Sequence, residues 1–132
     1  MSLAADLRRI ASRRTGDLQR IAEESLLITG QRIISATPVR DGAARGNWLS
    51  SVGSIDTSFS LSVKDPSGTA SNGRLQAAVQ GLEPGTEFYF TNSLPYAERL
   101  ENGWSQQAPQ GMVKINMASW SSVVSRAVAR YR

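Results

Sequence analysis

Apolar residues return at helical intervals through the opening stretch of the chain, at Leu3, Leu7, Ile10, Leu18, Ile21, Ile28 and Ile33. The pattern predicts a long helix over residues 4–36, with Gly16 the point at which it would divide into two segments. Pro38 must end it near Ala36, because proline lacks a backbone donor and biases Thr37 away from the helical region. Asp41-Gly42 and Gly46-Asn47 then supply turn chemistry. From Trp48 to Lys64 the period changes to two, most clearly where Phe59, Leu61 and Val63 alternate with Ser60, Ser62 and Lys64. Two strands are expected there, with a turn at 53–56. Asp65-Pro66-Ser67-Gly68 opens a loop, and Ser71 or Asn72 would cap a second helix carrying Leu75, Ala78, Val79 and Leu82 up to Pro84-Gly85.

Residues 86–92 read as another strand, Phe88 and Phe90 on one face and Tyr89 on the other. Pro95 suits the first turn of a short helix that stacks Tyr96 on Leu100 and closes at Asn102-Gly103. A polar loop follows over 104–111. From Met112 a last helix is predicted to Tyr131, presenting Val113, Met117, Trp120, Val124, Ala127 and Tyr131 on one stripe. The sum is an α+β fold, a long N-terminal helix and a C-terminal helix packed on a small, mostly antiparallel β-sheet. One domain over 1–132 is expected: the N-terminal helix to 36, strands with an inserted helix over 37–92, and the short helix, loop and C-terminal helix over 93–132.

Composition narrows the chemistry. With 132 residues, 40% hydrophobic and 20% charged, the chain resembles a globular protein able to build a core. The longest aliphatic run is Leu26-Leu27-Ile28, so no membrane span is expected, and Asp6, Arg8 and Arg9 interrupt any leader-like apolar segment. The expected location is a cytoplasm. There is no cysteine and no histidine. That removes the thiolate nucleophile, the commonest general base and the commonest metal ligand, and it points away from an enzyme. The net charge of +4 is spread out, six basic residues against four acidic in 1–36, four of each in 37–84, and five against three in 85–132. A nucleic-acid reader would concentrate its charge on one face or arm.

Each remaining constellation has a plainer reading beside the functional one. Glu98 and Glu101, with Glu87, could mimic a carboxylate pair, but glutamates three apart on a helix are ordinarily solvated. Arg8, Arg9, Arg13 and Arg14 could meet phosphate, yet no aromatic residues are interleaved and a solvated helix face suffices. Gly81 and Gly85 lack the strand-turn-helix setting of a phosphate cradle. The serines have no histidine partner and no glycine-flanked elbow. Trp48 and Trp120 fit core periodicity. Trp104 stands in a glutamine-rich loop, where capping the core and serving an interface are equally open.

Two segments read together carry a resemblance: Thr37-Pro38-Val39 with Asp41-Gly42 and Trp48, then Phe90-Thr91-Asn92-Ser93-Leu94-Pro95-Tyr96-Ala97-Glu98-Arg99-Leu100-Glu101-Asn102-Gly103-Trp104-Ser105. The chain resembles the phage tail-completion family that includes minor tail protein Z, and Gln107-Ala108-Pro109-Gln110-Gly111-Met112 is similar to that family's Q-x-P-x-GM loop. Arg40-Asp41 stands where the family more often has an acid-threonine pair. The resemblance implies a virion protein of the neck or tail top, assembled in the host cytoplasm, without enzymatic activity or cofactor. Its implied partners are copies of itself in a ring, six-fold favoured, and neighbouring neck and tail-terminator or tail-tube proteins, with DNA at most passing through the lumen and no membrane contact. Tyr96, Glu98, Glu101, Trp104, Gln107 and Met112 are the interface candidates. A basic nucleic-acid-binding module is the alternative, and a small hydrolase a distant third.

Overall fold

A computed structural model describes residues 3–131, apart from the side chains of residues 3, 6 and 8–12. The first helix, α1 (Leu3–Ala36), is about 50 Å long at 1.5 Å per residue and runs through Gly16 without dividing. Nothing lies within 4 Å of the place where a Cβ on Gly16 would sit. The glycine therefore costs only its excess backbone freedom, about 1 kcal/mol against alanine, too little to break a helix docked elsewhere along its length. The helix ends where Pro38 requires. The Thr37 hydroxyl donates to the Ile33 carbonyl at 2.8 Å and accepts the Trp48 indole N–H at 2.8 Å, so one side chain closes the helix and fixes the tryptophan behind it.

A single turn of helix, α2 (Ala43–Gly46), fills the connection to β1 (Leu49–Val52). β1 pairs antiparallel with β2 (Phe88–Thr91), Leu49 opposite Thr91 and Val52 opposite Phe88. The expected second strand over 59–64 does not form. Asn47 takes up the backbone groups it would have used, donating to the Ser60 carbonyl at 2.9 Å and accepting the Ser60 N–H at 2.8 Å. Phe59 and Leu61 stay exposed, and the strand partner comes from the far side of the next helix instead.

That helix, α3 (Thr69–Val79), starts earlier than Ser71 or Asn72 would place it, directly after Gly68. The buried Asp65 carboxylate accepts the Ser71 N–H at 3.1 Å, a cap supplied from outside the helix. Leu82 lies beyond the helix end yet is buried. After β2 come α4 (Ala97–Glu101), α5 (Val113–Met117) and α6 (Trp120–Arg130). The expected unbroken C-terminal helix is thus two. At the break the Asn116 side chain donates to the Met112 carbonyl and the Ser119 hydroxyl to the Asn116 carbonyl, local bonds that compete with the helical ladder.

The break also rotates the buried stripe. Val123 and Ala127 are buried, Met117 is exposed, and Trp120 is half-buried rather than a core residue. The core itself is Ile33, Ile34, Trp48, Leu75, Val79 and Met112, with Phe88 and Phe90 laid against it from the sheet. Trp48 stacks on Phe90 at 4.7 Å between ring centroids and 8° between planes. α1 packs against α3, α5 and α6. The fold is therefore α+β and mostly helical, with a two-stranded antiparallel sheet. Among the described residues no helix is long and apolar enough to cross a membrane.

Candidate functional site

The segment after α1 and the segment after β2, remote in sequence, meet across a groove of about 770 Å³. Pro38, Val39, Arg40 and Asp41 form one wall, and Tyr96, Arg99, Leu100 and Trp104 the other. Four sets of hydrogen bonds hold the walls. The Gln107 side-chain amide donates to the Val39 carbonyl at 3.0 Å and accepts the Val39 N–H at 2.9 Å, as a strand neighbour would. Asn92 donates to the Ala44 carbonyl at 2.8 Å, tying the end of β2 to α2. Arg45 spreads its guanidinium over the carbonyls of Ser35, Thr37 and Pro66, which fixes the path from α1 into the turn. The Glu101 carboxylate accepts the N–H groups of Met112, Val113 and Lys114 at 3.2, 2.8 and 3.0 Å. It thereby caps α5 from the end of α4 and fastens the far side of the 102–111 loop.

Close approach dictates glycine at positions 42 and 111, among others. Gly42 has φ +94°, and a Cβ there would stand 2.5 Å from the Pro66 nitrogen. Gly111 has φ +86°, and its Cβ would fall 2.3 Å from the Glu101 carbonyl oxygen. Both conditions exclude a side chain.

Trp104 is 76% exposed. Its described ring contact is the Arg99 guanidinium, 5.6 Å above the centroid, so the indole edge is free to meet another molecule. Arg40 and Arg99 are both exposed and have no acidic partner among the described residues. Asp41 is neutralised locally: Lys64 donates to it at 2.5 Å, and that bond first, then the Ala43 N–H, holds its carboxyl below the ordinary aspartate value. Burial, followed by the charge of Asp41, pushes the Tyr96 phenol above its ordinary value, so Tyr96 stays neutral at physiological pH. The groove lining thus combines Leu61, Tyr96, Leu100 and Trp104 with the exposed cations Arg40 and Arg99.

The six candidate residues separate into three groups. Met112 is 2% exposed and belongs to the core, which corrects its expected place at an interface. The polar atoms of Glu101 and Gln107 are engaged inside the molecule, so these side chains build the groove. Tyr96, Glu98 and Trp104 remain at the surface, Tyr96 only partly. Arg40 and Arg99 were not among the candidates. Their signal was present, since both lie in the segments that carry the resemblance, but the groove that gives them a shared role depends on long-range pairing. Among the described residues no three His, Cys, Asp or Glu side chains converge as a metal site would need. The arginine cluster near the N-terminus falls partly outside the described side chains. Arg13 and Arg14 are exposed, and Arg8 and Arg9 are not described. Comparisons of the chain with family models, with curated proteins and with solved structures find no match.

Proposed function

We propose that the protein is a non-catalytic structural subunit of a tailed-phage neck or tail top, which completes the tail and helps join it to the head. One observation carries the reading. The segments on which the resemblance to tail-completion proteins rests, within 37–48 and 90–112, are hydrogen-bonded to one another. The bonded pairs Val39–Gln107 and Ala44–Asn92 are 68 and 48 residues apart in the chain. The unit they build carries an exposed tryptophan and two exposed arginines that have no acidic partner among the described residues, the composition of a protein contact.

The site is built for contact more than for turnover. The Glu101 carboxylate is occupied by three backbone donors, and Asp41, which lines the groove, is bonded to Lys64. Neither is poised as a general base or nucleophile. Disabling the gene in the genome that carries it and imaging the lysate tests the assignment. Separate heads and tails are expected, and a normal yield of joined particles overturns it.

A further inference from the structure

We infer that the groove receives the loop over residues 81–87 of a second copy of this chain, so that copies join head to tail through Arg40, Arg99 and Trp104 on one side and Glu83, Pro84 and Glu87 on the other. The inference rests on the structural-subunit reading and deepens it by naming the two surfaces.

The loop's shape comes from its sequence. Glu83-Pro84-Gly85-Thr86 is a tight turn: the Thr86 N–H donates to the Glu83 carbonyl at 3.1 Å, Pro84 occupies the second position and Gly85 the third with φ +89°. These are the requirements of a type II turn. The turn is anchored at both ends, by the buried Leu82 and by the Gly53 N–H, which donates to the Glu87 carbonyl at 2.8 Å. Glu83, Pro84 and Glu87 are exposed, and neither glutamate has a cationic partner among the described residues. Glu87 is oriented by a hydrogen bond from the Tyr89 hydroxyl. The result is an exposed tip, tethered at both ends, that carries a proline ring flanked by carboxylates.

The groove offers the complement. Arg40 and Arg99 are exposed and have no acidic partner among the described residues, Arg99 lies over a largely exposed indole whose open edge suits a proline ring, and arginine forks are shaped for carboxylates. The placement also suits repetition. The tip sits at the Val52–Phe88 end of the ladder, whereas Thr91 and Asn92 lead into the groove at the other end. The ladder puts about 10 Å of strand between them. A surface that meets a different surface on the next copy is heterologous, the only kind of contact that propagates into a ring. An isologous pair would bring like charges together on each side.

The test uses the full chain in sedimentation velocity over a range of protein and salt concentrations. The wild-type chain should sediment as an oligomer that dissociates as salt screens the rim charges. Glu83→Arg with Glu87→Arg, and separately Arg40→Glu with Arg99→Glu, should each lose the oligomer while keeping the wild-type thermal transition. Mixing the two variants should restore it, because each reversed surface then finds an opposite one. A wild-type chain that is monomeric throughout, a variant that assembles like the wild type, or folded variants that fail to assemble on mixing would each overturn the contact. Counting joined particles from the Glu83→Arg, Glu87→Arg chain separates the two claims. Normal particles remove this contact and leave the junction reading intact, whereas normal particles without the chain remove the junction reading itself.

Discussion

Trp48 and Trp104 do different work because their surroundings differ. Trp48 is 3% exposed, stacked on Phe90 and hydrogen-bonded to Thr37. Trp48→Ala should cost about 3–5 kcal/mol of stability, the transfer loss of a large ring plus the cavity it leaves. Trp104→Ala should change stability by less than about 0.5 kcal/mol, because its ring meets mainly solvent and one arginine. Urea unfolding of the two variants checks the contrast, and equal losses would place Trp104 in the core. A second residue-scale expectation concerns acid. Asp41 has its carboxyl lowered by Lys64 and the Ala43 N–H, so the folded chain takes up its proton less readily than the unfolded chain. Its contribution is fully present above the ordinary aspartate range and is lost as the pH falls through Asp41's own, lower value. Urea midpoints followed from neutral pH into acid should therefore fall less steeply for Asp41→Asn than for the wild type. The difference is small, since the pair is exposed.

At the scale of elements, α5 is five residues long and too short to hold itself, so its cap comes from outside. Glu101→Ala removes the acceptor for three backbone N–H groups and should cost on the order of 2 kcal/mol, since hydrogen bonds to a charged group are the stronger kind. Hydrogen exchange should show Met112, Val113 and Lys114 amides losing protection before those of α1. The end of α1 at Pro38, the Phe88–Thr91 strand and the short helix before Gly103 were all legible, because each is written in neighbouring residues. The absent strand over 59–64 was not. Its alternation is real, but Asn47, thirteen positions before Ser60, claims the backbone that a ladder needs. The split of the last helix depends on Asn116 and Ser119 side chains choosing local carbonyls, a competition that periodicity does not register. Of the site, Trp104 stood out by composition. The role of Glu101 was hidden because its partners lie eleven to thirteen residues ahead.

For the whole molecule, a net charge of +4 distributed over both ends of the sequence predicts weak DNA binding that falls steeply with salt and ignores base order. Titration of duplex DNA at several ionic strengths measures it, and a tight complex with one preferred sequence near physiological salt would favour a nucleic-acid-binding module instead. The central claim is that this chain joins particles through a contact surface without performing chemistry. Its most direct test is complementation in a lysate whose own copy of the gene is disabled, scored as joined particles by electron microscopy. Added wild-type protein should restore joining, and folded Trp104→Ala protein should fail to. A lysate that joins heads to tails fully with no protein added would contradict the account.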